Sequence, residues 1–220
     1  MTPKSFFLSD ELHAFLLGNA PPLDDVQRDL ITDTEALGDV ATMQISPEQG
    51  AFMTLLTQII GPRLVVEVGT FTGYSTLAMA RGLPEGGHII ACDVSEEWTA
   101  IARRAWERAG VADSIDLRIA PGLETLSALP TDEPVDLAFL DADKGGYADY
   151  YDELLTRMDT GGVILVDNVM WSGLVVRPPD GAEDDDTAAL RAFNEKVRND
   201  GRVDSMILPL ADGLTLVRKR

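Results

Sequence analysis

The chain has 220 residues, enough for one well-packed domain, and its 45% apolar and 25% charged residues indicate neither a disordered nor a fibrous protein. Its formal net charge of -19 argues against nucleic-acid and membrane partners, because such a surface repels phosphate backbones and anionic lipids. A single cysteine, Cys92, excludes an internal disulfide, and no apolar stretch has the form of a signal peptide or a membrane span, so we expect a cytoplasmic protein.

The first 61 residues have helical patterns, and the rest of the chain alternates between strand and helix. Ser9, Asp24 and Ser46 can each cap a helix, and the third helix should run to Ile60. Short runs of branched apolar residues predict strands at residues 64–68, 88–92, 115–119, 135–140 and 163–166. Helices are predicted between them at residues 74–81, 96–109 and 147–158. This alternation indicates a doubly wound, parallel α/β sheet with helices on both faces.

The end of the chain departs from this alternation. Residues 203–208 and 214–217 flank a turn and predict an antiparallel β-hairpin at the sheet edge. Residues 178–186 are rich in proline and acidic residues and predict an exposed loop that leads into a helix. We therefore expect a single domain over residues 1–220, with a helical segment at 1–61 and a ligand-binding core at 62–220.

A ligand loop is predicted where the first strand ends. Gly69 and Gly73 allow the backbone to turn sharply and approach a ligand, and Ser75 opens a helix whose amides favour an anion. The second strand ends in Asp93, which can accept both hydroxyls of a ribose. Together these residues predict a site for an adenosine-containing ligand. The alternative is a tight turn that binds nothing.

A dinucleotide cofactor is the competing interpretation of this loop. The Gly-x-Gly-x-x-Gly spacing of dinucleotide-binding proteins is absent, because the two glycines are four residues apart. The carboxylate of Glu67, two residues before Gly69, would repel a pyrophosphate but attract an ammonium or sulfonium group. An NAD-dependent oxidoreductase is therefore the disfavoured alternative.

An acidic cluster is predicted where the fourth and fifth strands end. Because neighbouring parallel strands end at one edge of a sheet, we expect Asp141, Asp167 and Asn168 to converge. Their oxygens suit Mg²⁺, Mn²⁺ or Ca²⁺, and without a cation the like charges would be costly. The alternative is that these residues only cap helices and strand ends.

Lys144 lies inside this acidic stretch. It could hold or deprotonate a hydroxyl whose pKa a bound cation has lowered, and the alternative is an ordinary salt-bridge lysine. Because the chain has only two histidines, His13 and His88, a histidine-based metal site or catalytic triad is disfavoured.

Four segments, in order and spacing, resemble the cation-dependent O-methyltransferases of the caffeoyl-CoA and catechol type. They are Met43-Gln-Ile-Ser-Pro-Glu-Gln-Gly50, Val65-Val-Glu-Val-Gly-Thr-Phe-Thr-Gly-Tyr-Ser75, Leu140-Asp-Ala-Asp-Lys144 and Asp167-Asn-Val-Met-Trp-Ser-Gly173. Asp212 and Gly213 are similar to the final hairpin of that family. The resemblance implies a seven-stranded, Rossmann-like class I methyltransferase fold, S-adenosylmethionine as cofactor, an aromatic hydroxyl substrate and a homodimer.

The resemblance also implies a role for each candidate residue. Asp141, Asp167 and Asn168 would bind the cation, with Mg²⁺ as the first choice. Lys144, with Asp141 beside it, would be the catalytic base or the group that positions the hydroxyl. The cofactor would be bound by Met43, Ile45, Glu67, Gly69, Phe71, Ser75, Asp93, Ala120, Pro121 and Asp141. A cofactor-binding relative without catalysis is the alternative, against which the intact acidic cluster and Lys144 speak.

Two departures from the family pattern concern the substrate. Leu174 lies where a basic residue often follows the Trp-x-Gly element, and residues 183–186 are acidic, which suits the phosphates of coenzyme A poorly. We therefore expect a free catechol or phenolic natural product as substrate rather than a CoA ester, and we expect Trp171 to line its binding site.

Overall fold

The computed structural model describes residues 8–130, 132–177 and 184–220, and seven strands within them form one sheet. The strands are β1 Leu64–Val68, β2 His88–Asp93, β3 Ile115–Ile119, β4 Leu137–Leu140, β5 Val163–Val166, β6 Val203–Leu208 and β7 Leu214–Lys219. Their order across the sheet is β3-β2-β1-β4-β5-β7-β6. The first five run parallel, and β7 runs antiparallel to both β5 and β6. The predicted seven-stranded sheet with its C-terminal hairpin is confirmed.

The strand ends differ from the prediction by one or two residues. The predicted start of β4 at Val135 is wrong, because Val135 donates its N–H to the Arg157 carbonyl and the strand begins at Leu137. β2 extends to Asp93, which pairs with Ile119 of β3. β7 extends to Lys219, which pairs with Val203 of β6.

Helices surround the sheet and begin where the capping residues predict. They are α1 Asp10–Asn19, α2 Asp25–Glu35, α3 Pro47–Ile60, α4 Tyr74–Ala80, α5 Glu96–Ala109, α6 Gly122–Ser127, α7 Tyr147–Arg157 and α8 Asp185–Asn199. The side chains of Ser9, Asp24 and Ser46 each accept a backbone N–H in the first turn of α1, α2 and α3. α4 and α7 each end one residue earlier than predicted. No helix in the described part of the chain is long and apolar enough to cross a membrane.

The acidic loop predicted at residues 178–186 lies mostly outside the described residues, which resume at Asp184. Asp184 caps α8 by accepting the N–H of Thr187 at 2.8 Å. Asp185 and Asp186 follow in the first turn of this helix. The described part of the acidic segment therefore forms the start of a helix, as the prediction required.

The sheet has a hydrophobic core on each face, and β1 contributes to both. Leu64, Val66 and Val68 pack with residues of α6, α7 and α8, whereas Val65 packs with residues of α3, α4 and α5. Because successive side chains of a strand point to opposite faces, Glu67 shares the face of Val65. Its carboxyl group is therefore directed into an apolar layer.

The strand order reverses at β1, which lies between β2 and β4. The chain continues from β1 to β2, toward one edge of the sheet, and from β4 to β5, toward the opposite edge. In open α/β sheets, ligands bind in the crevice beyond the carboxyl ends of the strands at such a reversal. The loops after β1, β2, β4 and β5 therefore form the candidate site.

Candidate active site

The glycines of the loop after β1 allow chain segments to pack closely. Gly69 has a φ of 91°, and a Cβ there would lie 1.9 Å from the carbonyl oxygen of Asp141. Gly73 has a φ of 82°, and its Cβ would lie 2.5 Å from Cβ of Ala102 on α5. At both positions a side chain is excluded by neighbouring protein atoms. The predicted close approach of the two glycines to a ligand stays a prediction. Gly69 holds this loop against the loop after β4.

Glu67 is fully buried, with 0% of its surface exposed. Its Oε2 accepts hydrogen bonds from the hydroxyls of Thr70 and Thr76, whereas its Oε1 accepts no hydrogen bond from the described part of the chain. Burial raises the pKa of Glu67 to about 8, although the hydroxyls of Ser75 and Thr76 oppose this shift. A buried acceptor without a donor is uncommon in proteins and marks a place where a ligand can supply one.

The buried carboxyl of Glu67 should make stability depend on pH. The pKa of Glu67 is about 8 in the folded protein and near 4.5 ordinarily, so the folded state binds the extra proton between these values. The free energy of unfolding should therefore fall by about 1.4 kcal/mol per pH unit as the pH rises through this window. Denaturant unfolding at several pH values between 6 and 8, above the pKa of about 6 that Asp167 has, measures this slope, and Glu67→Gln should remove it. The exposed Glu124→Gln is the control, and an unchanged slope in Glu67→Gln would contradict the assignment.

Asp93 at the end of β2 holds the loop after β1 in place. Its Oδ2 accepts the N–H groups of Thr70 at 3.0 Å and Phe71 at 2.7 Å, and its Oδ1 accepts that of Ser95 at 2.8 Å. Two carboxylate oxygens offer about four acceptor positions, so about one position is left, on Oδ1, for the two ribose hydroxyls of the prediction. Asp93 thus has a structural role that sequence reasoning missed.

Phe71 and Trp98 form an aromatic pair beside Asp93. Their ring centroids are 5.1 Å apart and the rings meet edge to face. Phe71 has a φ of 49°, which turns the loop. Trp98 was not predicted, although the cap at Ser95 places it in the first turn of α5.

The other predicted cofactor residues occupy different environments. Ser75 is buried in α4 beside Glu67, and Ala120 donates its N–H to the Asp93 carbonyl, so Ala120 and Pro121 lie at the same sheet edge. Met43 is exposed, and Ile45 is buried in the core, which leaves only its backbone for a ligand. The cofactor roles of these residues stay predictions.

The predicted acidic cluster does come together around Lys144. The Nζ atom of Lys144 lies 3.2 Å from Oδ1 of Asp141 and 2.8 Å from Oδ1 of Asn168. Asp167 is buried beside them and accepts the N–H of Asn168 at 2.7 Å. The cluster consists of two carboxylates and one amide. It is therefore not among the groups of three or more Cys, His, Asp or Glu side chains that could bind a metal, of which the described residues contain none.

The two carboxylates are electrostatically unfavourable without a cation. Burial and, to a smaller extent, the negative charge of Asp141 together raise the pKa of Asp167 to about 6. Burial likewise raises the pKa of Asp141, although the charge of Lys144 opposes this. Two acids and an amide oxygen at one sheet edge therefore fit a hard divalent cation.

Two further residues complete the cluster and were not predicted. Gln49 of α3 is buried and donates from Nε2 to Oδ2 of Asp167 at 2.8 Å. Tyr147 is buried, and its hydroxyl lies 2.6 Å from Nζ of Lys144. Trp171 also lies near the cluster, with Nζ of Lys144 5.6 Å from its ring centroid.

Comparisons with known proteins agree with this geometry. The O-methyltransferase family matches residues 22–220. Tricin synthase 1 of Oryza sativa subsp. japonica is 37% identical over 99% of this chain and 91% of its own length. Caffeoyl-CoA O-methyltransferase 1 of Arabidopsis thaliana is 34% identical over 98% and 87%. The crystal structure of an O-methyltransferase from Bacillus cereus with S-adenosylhomocysteine superposes with a TM-score of 0.87, at 30% identity and covering 96% of this chain and 97% of the other.

Proposed function

Because this chain belongs to the O-methyltransferase family and is an S-adenosylmethionine-dependent O-methyltransferase, we propose that it requires a divalent cation and methylates one hydroxyl of a free catechol. The cluster of Asp141, Asp167 and Asn168 around Lys144 carries this proposal. In this cluster the oxygen atoms that could bind a cation lie beside the amine of Lys144, which could accept or donate a proton.

The cation would be held by Asp141, Asp167 and Asn168, and Mg²⁺ suits these oxygens best, with Mn²⁺ and Ca²⁺ as alternatives. When bound, the cation supplies positive charge that lowers the pKa of a substrate hydroxyl, and S-adenosylmethionine supplies the methyl group. Gln49 keeps Asp167 oriented through its 2.8 Å hydrogen bond.

Lys144 would act on the hydroxyl that is methylated. Its Nζ lies within hydrogen-bond distance of Asp141 and Asn168, so as an ammonium it can hold the hydroxyl oxygen there, and only as a neutral amine can it accept the hydroxyl proton. Trp171 would form the wall beside the aromatic ring of the substrate. On the cofactor side, Oε1 of Glu67 would accept a hydrogen bond from the ammonium group of S-adenosylmethionine, since no hydrogen-bond donor reaches it among the residues that the structure describes. Alignment of the two reactants would supply much of the rate.

The surroundings of Leu174 favour a free catechol over a CoA ester. Leu174 lies in the segment Trp171–Val176, and α8 is the next helix along the chain. The start of α8 is negatively charged, since it contains Asp184, Asp185 and Asp186. Arg191 of α8 does reach the segment, where its guanidinium donates to the carbonyl of Leu174 at 2.9 Å. This hydrogen bond occupies one of the five N–H donors of the guanidinium and leaves its charge in place, so it is the three aspartates that disfavour a CoA ester.

Substrate choice tests the proposal directly. Methyl transfer from labelled S-adenosylmethionine should occur to catechols and not to isolated monophenols, since two adjacent oxygens are needed to chelate one cation. Caffeate should have a higher kcat/KM than caffeoyl-CoA. In calorimetry, S-adenosylhomocysteine should bind and NAD should bind far more weakly. Binding of NAD without the thioether would overturn the cofactor assignment, and a preference for caffeoyl-CoA would overturn the substrate assignment.

Two further expectations extend the proposal to the assembly and the compartment. We expect a homodimer, as the family resemblance implies, and exposed apolar side chains of α1 and α3, among them Phe15, Leu55 and Ile59, are available for such contacts. We also expect the protein to act in the cytoplasm, where the single buried thiol of Cys92 suits a reducing environment.

A further inference from the structure

Tyr147 is the first residue of α7 and lies in the interior beside the acidic cluster. Its hydroxyl is 2.6 Å from Nζ of Lys144 and 3.2 Å from the main-chain carbonyl oxygen of Asp167. It therefore joins the lysine of the loop after β4 to the backbone after β5.

The direction of these two hydrogen bonds follows from the groups involved. A tyrosine hydroxyl has one proton to donate, and a carbonyl oxygen can only accept. The hydroxyl proton of Tyr147 is therefore donated to the main-chain carbonyl oxygen of Asp167, and the hydroxyl oxygen accepts a hydrogen bond from Nζ of Lys144. This arrangement aims a lone pair of the tyrosine oxygen at Nζ.

The position of the Lys144 side chain is set by the contacts of Nζ. Lys144 begins the short 3-10 turn Lys144–Gly146. Of the three acceptors around Nζ, Asp141 and Asn168 are also the proposed cation ligands. The hydroxyl of Tyr147 is the acceptor in this set that the cation would not engage.

Tyr147 is itself held firmly. Its ring packs edge to face against Phe193 of α8, with centroids 5.6 Å apart. We propose that Tyr147 is a positioning residue for methyl transfer, which keeps the amine of Lys144 at the reacting oxygen while the cation occupies the neighbouring ligands. This inference rests on the role of Lys144 in the proposed function.

Tyr151 provides a matched control for removal of this hydroxyl. It is equally buried, and its ring also packs edge to face against Phe193, at 5.8 Å. Its hydroxyl, however, is bonded to Asp200 at 3.0 Å, away from Lys144. Tyr147→Phe and Tyr151→Phe therefore remove the same group from the same aromatic cluster, and only the first removes a partner of Lys144.

Kinetics should separate the two variants. Tyr147→Phe should lower kcat roughly tenfold to a hundredfold, since small misplacements of a catalytic group have effects of this order. Its KM for the catechol and its affinities for Mn²⁺ and S-adenosylhomocysteine should equal those of the wild type. Tyr151→Phe should retain the wild-type kcat.

A second measurement needs no turnover. In ¹⁵N-lysine-labelled protein, the Nζ signal of Lys144, identified by its loss in Lys144→Met, should exchange its protons slowly, and this protection should be lost in Tyr147→Phe but not in Tyr151→Phe. In the wild type, exchange as fast as at the partly exposed Lys196 would overturn the inference, even if Tyr147→Phe failed to fold. A wild-type kcat in Tyr147→Phe would also overturn it while leaving the proposed function intact. If the wild type methylates no catechol, the proposed function fails, and the exchange rates still test the hydrogen bond.

Discussion

Removal of divalent cations should abolish methyl transfer, and Asp141→Ala should make that loss resistant to added metal. Asp141 and Asp167 are acids with raised pKa values in one buried cluster, which is unfavourable unless a cation compensates their charges. A bound cation contributes several kcal/mol to such a reaction, so chelation should lower the rate by roughly 10³-fold or more. Mg²⁺ or Mn²⁺ should restore the wild-type rate, and moderate metal concentrations should not restore that of Asp141→Ala.

Asp143 provides the control for this experiment. It lies two residues after Asp141 in the same loop, but it is exposed, and its Oδ1 accepts the hydroxyl of Tyr150 at 2.6 Å. Asp143→Ala should lose activity on chelation and recover it with metal, as the wild type does. Calorimetry should show Mn²⁺ binding to Asp143→Ala and not to Asp141→Ala. Full activity after exhaustive chelation would leave the acids at these strand ends with a capping role only.

Replacement of Lys144 by methionine should lower kcat by about 10²- to 10⁴-fold, the range expected for loss of a positioned proton acceptor. The KM for the catechol should change little, because the cation ligands and the wall formed by Trp171 are retained. Methionine keeps most of the volume of the buried lysine side chain, so the fold should persist. Single-turnover measurement of methyl transfer separates this chemical step from product release.

Lys196→Met provides the matched control for this change. The Nζ atom of Lys196 pairs with Asp152 at 2.5 Å, in an ion pair that is partly exposed and separate from the acidic cluster. This variant should retain the wild-type kcat and KM. If Lys144→Met instead raised KM at unchanged kcat, Lys144 would be a substrate-binding residue, and another group would have to accept the proton.

The sheet and the position of the site were predictable because their signals are local. Buried parallel strands appear as short runs of branched apolar residues, and the caps at Ser9, Asp24 and Ser46 mark where helices begin. Residues that directly follow parallel strands must meet at one sheet edge, which is why Asp141 and Asn168 could be placed together.

The supporting contacts were not predictable because they join distant parts of the chain. Gln49 contacts Asp167 across 118 positions, and no local pattern indicates such a pair. The burial of Glu67 could have been predicted from the sequence. Glu67 lies two residues after Val65 in the same strand, so the two side chains share one buried face of the sheet. Tyr147 also had a weak signal in its position three residues after Lys144, but only the structure shows that its hydroxyl faces the amine.

The close contact between Gly69 and Asp141 connects two binding events. The loop that would hold the cofactor and the loop that would hold the cation touch main chain to main chain, with no room for a methyl group between them. A ligand that pushes one loop toward the other must therefore displace that other loop as well. Thermodynamic linkage then requires that any factor by which the cofactor strengthens cation binding equals the factor by which the cation strengthens cofactor binding.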